Sequence, residues 1–418
     1  MRTSLLAAIS VGALAAGSLF VAGTASSQSS GRAPLRYAMD AATMSGFGAM
    51  GAGGGGMGAM MSMMQGGAPK PIRTLNLHHG ASTAPAAPLT AGQAQADHFM
   101  PQGAGLGTSV RLLPLLRQPG TPMEGSFEQP SGRLLLYWGC GERAAPGQPV
   151  VIDFAKLAKG QVPPGLYMNP IDLPDDWRIT DTNSRTYTSW PSGRETRQVP
   201  SAASLLGAHR IASNYSKEIS FNLAEDFMPP LAATTRATRA GGYNLAWGGL
   251  DRATGYYAWA MGAKDERGGR PVEMVWWASS QQQAFGGPLW DWISPAGVRR
   301  LVEAGTVMPP EQRECAIPAE VVKAAGDAMM VNLQAYGPQV DFAYPPRPAD
   351  AKKPWNLEWI ARVRFRSATT VLPGMDMGDM DAGEMREARG AAAPPPAPRK
   401  PKCRGLKGLA ERAAGLCE

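Results

Sequence analysis

Methionine is the residue type whose placement here could carry chemistry. Of the 22 in the chain, seven lie between Met44 and Met64, and four more stand at Met375, Met377, Met380 and Met385. A thioether is a soft ligand suited to Cu(I) or Ag(I), so these runs suit metal sequestration, with Met375, Met377, Met380 and Met385 as the candidate ligands. Set against that, Met interspersed with Gly and Ala is also low-complexity filler. His78 and His79 are adjacent but have no Cys or carboxylate beside them, which makes a poor metal pair. Near the expected core, His209 is the one side chain able to act as a base at neutral pH, although a single His next to Arg210 suits a surface or hydrogen-bonded role as well. Asp175, Asp176 and Trp177 pair carboxylates with an aromatic face, as a sugar site would; in extended chain the two acids point to opposite sides, and a solvated turn explains them equally. Arg362, Arg364 and Arg366 form a row that could meet phosphate or lipid anions, or keep an edge strand soluble. Tyr256, Tyr257, Trp259, Trp276 and Trp277 could form a ligand platform, or simply core. No G-x-S-x-G, H-E-x-x-H, P-loop or C-x-x-C occurs in the chain, so no catalytic residue is assigned and a non-enzymatic protein is favoured. No cofactor is expected apart from Cu(I).

The elements that must position these residues are mostly strands. Three aromatic and β-branched runs, Tyr243 to Trp247, Tyr256 to Met261 and Val272 to Ala278, have the spacing of an antiparallel meander. Both faces of the middle run are apolar, so both are expected to be covered. Upstream, RLLLYW from Arg133 and PVVIDF from Pro149 read as strands across a Gly and Pro loop, and KEISFNL from Lys217 opens a second cluster. Ser294 followed by Pro295 reads as an N-cap with Pro at the first helical position. Met329 to Tyr336 and Val340 to Tyr344 read as a hairpin. Leu357 to Ser367 alternates, with Leu357, Trp359, Ala361, Val363 and Phe365 on one face and the arginines on the other, Ile360 intruding; a half-exposed strand with its arginine row toward water is expected. The fold class is therefore mainly β, with one or two antiparallel sandwiches.

Both ends are expected to be disordered. Arg2, the apolar run Leu5 to Ala22 and Gly23-Thr24-Ala25 have the order of a secretory signal peptide, assigned to 1–25. Residues 26–130 are low-complexity, rich in Gly, Met, Pro and Ala, with one apolar island, Val110 to Leu116, that suits an edge element. A first β region is expected over 131–200 and a second over 201–372. A Met-acidic then basic tail follows over 373–418, holding a marginal amphipathic helix. The net charge of +7 is unevenly placed: Met375 to Met385 carries four acids and no base, whereas the last part of the tail, Arg386 to Glu418, carries eight bases and three acids. Expected partners are thus an envelope component or an anionic lipid surface met through the tail, and no nucleic acid. In an exported chain the four cysteines allow three pairings. A helical tail would hold Cys403 and Cys417 about 21 Å apart, against about 7 Å for a disulfide. Cys140 with Cys315 is then the favoured pair, the alternative being two separate buried thiols.

Three resemblances add to this. Leu245-Ala-Trp247 followed by Gly255-Tyr256-Tyr257 resembles the B and C strands of fibronectin type III domains, over a small part of the chain, and implies a sandwich that binds or spaces. The series YWGCGE at Tyr137, PVVIDF at Pro149 and ECAIPAE at Glu314 resembles a family of exported bacterial proteins with no assigned activity. The second methionine cluster is similar to Met-rich segments of periplasmic copper-handling proteins, which often mix His among the Met, as this one does not. The expected function is a binding or structural module of the periplasm or cell envelope, with periplasmic Cu(I) or Ag(I) handling as the alternative and a hydrolase with an unrecognised site third.

Overall fold

Leu35, Tyr37, Met39 and Ala41 alternate with Arg36, Ala38, Asp40 and Ala42, and in the computed structural model this stretch is a central strand buried on both faces. The structure describes residues 33–49, 70–83, 89, 92–114, 132–165, 171, 178–192, 195, 197–264, 273–326, 329–350 and 352–374. The class is mainly β.

A nine-stranded sheet is built from β1 (Leu35–Gly46), β2 (Ile72–Ala81), β5 (Arg133–Trp138), β6 (Val150–Asp153), β7 (Thr186–Trp190), β12 (Gly255–Lys264), β13 (Glu273–Ala278), β15 (Met330–Tyr344) and β16 (Trp359–Val371). Its order is β6-β5-β13-β12-β15-β16-β1-β2-β7. A four-stranded sheet contains β3 (Ala96–Phe99), β4 (Ser109–Leu112), β8 (Gly207–Ser213) and β9 (Ile219–Leu223), in the order β4-β3-β8-β9. A three-stranded sheet contains β10 (Ala233–Ala237), β11 (Tyr243–Trp247) and β14 (Glu314–Ile317), with β11 in the middle. The helices are short: α1 (Phe154–Leu157), α2 (Pro295–Glu303) and α3 (Ala319–Ala325). Pairings are antiparallel except β1 with β16 and β13 with β5, which are parallel.

The two faces of the large sheet differ. On the inner face one continuous core joins Tyr37, Met39, Leu77, Val363 and Phe365 to Ile211, Ile219 and Phe221 of the four-stranded sheet and to Leu245, Trp247 and Ile317 of the three-stranded one. On the outer face a smaller core gathers Leu136, Tyr257, Phe285, Leu289, Val298, Leu301 and Tyr336. This second core lies under α2, whose Ser294 cap accepts from Gly297 N at 3.2 Å, as the Ser-Pro signal implies. The outer face is apolar there because a helix covers it. At the β16-β1-β2 end it turns polar.

Several expectations need correction. Four strands, β1 to β4, form within the stretch read as disordered. Ala, His and Asn have weak strand preference, but β1 and β2 sit between partners on both sides, and burial overrides propensity. β4 is an edge strand at the place of the expected island. The boundary near residue 200 does not separate two sheets, since β5, β6 and β7 join strands from β12 onward in the same one. The meander is incomplete: β12 pairs with β13, whereas β11 belongs to the three-stranded sheet. The hairpin at Gly337-Pro338 is a bulge in one long strand, where the register shifts between Tyr336 and Gln339. A Cβ on Gly337 would lie 2.5 Å from Phe365 O and 2.4 Å from Met228 Sδ, so close approach, not a turn, requires that glycine.

Cys140 and Cys315 are joined by a disulfide with Cα atoms 5.1 Å apart. It ties the end of β5 to β14. Residues 1–25, expected to be a signal peptide, the tail from Met375, including Cys403 and Cys417, and six of the seven methionines between Met44 and Met64 lie outside the described residues; Met44 itself is on β1.

Candidate polar cavity on the outer sheet face

Alternation along three neighbouring strands builds this site. Register sets Asp40 on β1 beside Arg364 on β16 and Asn76 on β2, and sets Ala38 beside Arg362 and His78. Ala38 places only a methyl group between a guanidinium and an imidazole, which leaves room above it. The resulting cavity, about 360 Å³, is lined also by Arg178, Thr180, Tyr187, Asp291 and Trp292.

Its floor is a buried ion pair. Arg364 donates from Nε to Asp40 Oδ1 at 2.7 Å and from Nη2 to Oδ2 at 2.9 Å, a bidentate fork. Arg364 also donates from Nη1 to the Trp292 carbonyl at 3.0 Å. Arg362 donates to Asp341 Oδ1 at 3.0 Å, and Arg178 pairs with Asp291. His78 Nδ1 lies 2.8 Å from the Tyr187 hydroxyl, with the two rings stacked. Burial lowers the His78 pKa, Asp40 opposes this and Arg364 adds to it, so the imidazole is neutral at pH 7.

The arginine row is thus covered, not open to water. Gly286 and Gly287, both at positive φ, turn the chain onto β16, and the Trp290 and Trp292 carbonyls accept from Arg366 and Arg364. Gly286 is needed for a second reason, since a Cβ there would lie 2.7 Å from the Trp276 ring. From this crossing Trp290 packs against Trp259 and Trp276, with centroids 5.1 and 5.3 Å away. Asp291 meets Arg178, and Trp292 walls the cavity with the Arg366 guanidinium 4.2 Å from its ring centroid.

Replacing Asp40 by Asn should destabilise the protein by about 3 kcal/mol, because Arg364 stays buried with its charge uncompensated. Urea denaturation at pH 7 measures this. A change within about 0.5 kcal/mol would mean that the pair is not load-sharing.

The expected platform dissolves. Tyr256, Tyr257 and Trp277 are fully buried, because both faces of β12 and β13 are covered. Trp277 donates to Gly139 O at 2.9 Å, and the Tyr256 hydroxyl accepts from Leu250 N at 3.0 Å. Trp259 and Trp276 keep partial exposure, in the cluster with Trp290. Asp175, Asp176 and Trp177, like Met375, Met377, Met380 and Met385, lie outside the described residues.

His78 and His79 sit on β2, not in a linker, and alternation sends them to opposite faces. His79 joins His98 and His209 inside the sandwich. His209 does not meet an acid and a hydroxyl, as a hydrolase base would. Its Nε2 donates to the Leu205 carbonyl at 2.7 Å, and that carbonyl can only accept, so Nδ1 is unprotonated and accepts from His98 Nε2 at 2.9 Å. His98 Nδ1 then accepts from the Tyr37 hydroxyl at 2.7 Å. His79 Nδ1 lies 2.7 Å from the Tyr215 hydroxyl, itself 2.7 Å from Thr188 Oγ1. This chain satisfies buried polar groups.

The cavity residues Asp40, Asn76, Tyr187, Asp291 and Trp292 were not singled out from sequence. The available signals were the alternation in 35–42 and 72–79, and Trp-Asp-Trp between a Gly-Gly-Pro turn and a helix cap. Among the described residues no group of three or more His, Cys, Asp or Glu is placed to hold a metal ion, and no helix is long and apolar enough to cross a membrane. Compared with known proteins, the chain matches no family model, no curated protein and no solved structure.

Proposed function

We propose that the protein is an exported, non-enzymatic binding module of the cell envelope and that its ligand seats in the outer-face cavity. The observation carrying this is the cavity itself: polar groups converge on a rigid floor of three paired strands, and an aromatic wall stands beside them. Concave sites with a few fixed polar groups are where small molecules bind. Sheet residues in an ion-pair network hold their geometry before the ligand arrives, which lowers the ordering cost of binding. Export rests on the order of basic start, apolar run and small-residue exit in residues 1–25.

A thermal-shift screen of small polar compounds tests the reading. At least one compound should stabilise the protein, with the shift reduced in Trp292→Ala and in Tyr187→Phe and retained in Tyr243→Phe, which lies on β11 of the three-stranded sheet and outside the cavity lining. A screen without stabilising compounds, or with shifts indifferent to Trp292 and Tyr187, would overturn it.

A further inference from the structure

We infer that the cavity takes a neutral, hydroxyl-rich ligand, a monosaccharide or the end of a short glycan. This rests on the cavity being the binding site and adds the class of ligand. The charges of the lining are already matched. Arg364 is paired with Asp40 and Arg178 with Asp291, both within the lining, and the third lining arginine, Arg362, is paired with Asp341 outside it. A phosphate or dicarboxylate would have to take an arginine from its carboxylate and leave that carboxylate partly buried without a partner, which is strongly unfavourable. A cation meets the same obstacle from the other side.

A hydroxyl breaks no pair. A carboxylate has about four acceptor positions and a guanidinium five N–H groups, more than one ion pair uses, and vicinal hydroxyls both donate and accept. The neutral lining groups match them: Asn76, Thr180, His78 and Tyr187 are each able to donate and accept. Because burial keeps His78 uncharged, it adds no net charge to the site.

Trp292 supplies the apolar half of the recognition. A sugar ring presents C–H groups on its faces, and an aromatic ring is the surface against which they pack. Arg366, stacked 4.2 Å from the Trp292 centroid, and the neighbouring contacts of Trp290 brace the segment that holds this wall. The volume of about 360 Å³ is at the small end for small-molecule pockets.

Isothermal titration of the mature full-length protein with methyl glycosides of neutral hexoses and N-acetylhexosamines, and separately with inorganic phosphate and citrate, tests this. Binding of at least one glycoside is expected, insensitive to added salt, weakened at least about tenfold in Trp292→Ala and measurably in Tyr187→Phe, a change that removes only a hydroxyl. Tyr243→Phe, on β11 of the three-stranded sheet and outside the cavity lining, should bind as the parent does. Silence toward every glycoside together with salt-sensitive binding of phosphate or citrate, lost in the same variants, would overturn the ligand class and leave the cavity as the binding site. Glycoside binding unaffected by both variants would place the sugar elsewhere and overturn the inference. Silence toward all of these probes, combined with an empty thermal-shift screen, would remove the binding-site reading as well.

Discussion

Replacing Cys140 and Cys315 together by Ser should lower the stability of the protein by about 5 kcal/mol. The bond closes a loop of 175 residues, and the chain-entropy relation for a loop of that length gives a reduction in unfolded-state freedom worth about 5 kcal/mol at 25 °C. The loop matters because of what lies within it. Between the two cysteines run β6 to β13 and α2, so opening the link lets the chain that bears half of the strands explore the unfolded ensemble. The native geometry does not depend on the bond alone. Gly141 N donates to Ala316 O at 2.9 Å and Gly139 N to Ala278 O at 2.9 Å, so the segment after β5 stays docked between β13 and β14. The double variant should therefore show native circular dichroism without denaturant and a large fall in the guanidinium midpoint. Wild-type protein held in reductant should behave like the variant. Equal midpoints for variant and oxidised wild type, or a non-reducing peptide map lacking the Cys140–Cys315 peptide, would contradict this account.

How much of this was legible in the sequence follows from what each kind of signal encodes. β5, β9, β12 and β13 are dense in Leu, Tyr, Trp, Phe and Val, and such runs announce strands without their partners. β1 and β2 carry the same period-two pattern in Ala, His and Asn, types whose intrinsic preference points elsewhere; only their place between β16 and β7 makes them strands. Pairing is the part that local signals miss. β1 runs parallel to β16 from the far end of the described chain, and nothing within either strand specifies the other. The arginine row shows the same limit. Alternation correctly placed Arg362, Arg364 and Arg366 on one face, but the covering carbonyls of Trp290 and Trp292 come from more than 70 positions earlier. The two apolar faces of the Tyr256 to Met261 run were legible, since both carried large apolar side chains, and both are covered. For the candidate site, the side chains could be read from the pattern while their convergence could not, because it requires β1, β2, β16 and the segment after Gly287 together.

Acidification below pH 6.5 should lower the stability of the protein before its carboxylates begin to be neutralised. His79, His98 and His209 are buried, and desolvation lowers the pKa of each below the ordinary value of 6.5, that of His79 to about 3. His98 is held down further by its histidine neighbours. Above pH 6.5 the folded and unfolded chains both carry these groups neutral, and they contribute no pH dependence. Below 6.5 the unfolded chain takes up protons that the folded chain refuses, so stability falls with pH until the folded value is reached. Each pH unit in that window costs about 1.4 kcal/mol per histidine, which for His79 alone is about 2 kcal/mol at pH 5. His98 and His209 add to it in the same direction. Neighbouring groups do not relieve this: Tyr37 and Tyr215, which face the imidazoles, have phenols pushed up by burial and stay neutral. The carboxylates act in a separate window. Glu195, held down to about 2 mainly by its hydrogen bonds from Arg197, and Asp226, lowered by bonds from Ser204, Leu205 N and Phe227 N against the opposing effect of burial, lose their contributions only as pH falls below their ordinary values near 4. Between pH 6.5 and 5 the loss therefore belongs to the histidines. Urea denaturation across that interval should show unfolding free energy falling steeply, and His79→Asn should be less stable at pH 7 yet show a shallower slope. A flat profile in the parent protein, or an unchanged slope in the variant, would mean that protonation at His79 does not control the acid limb.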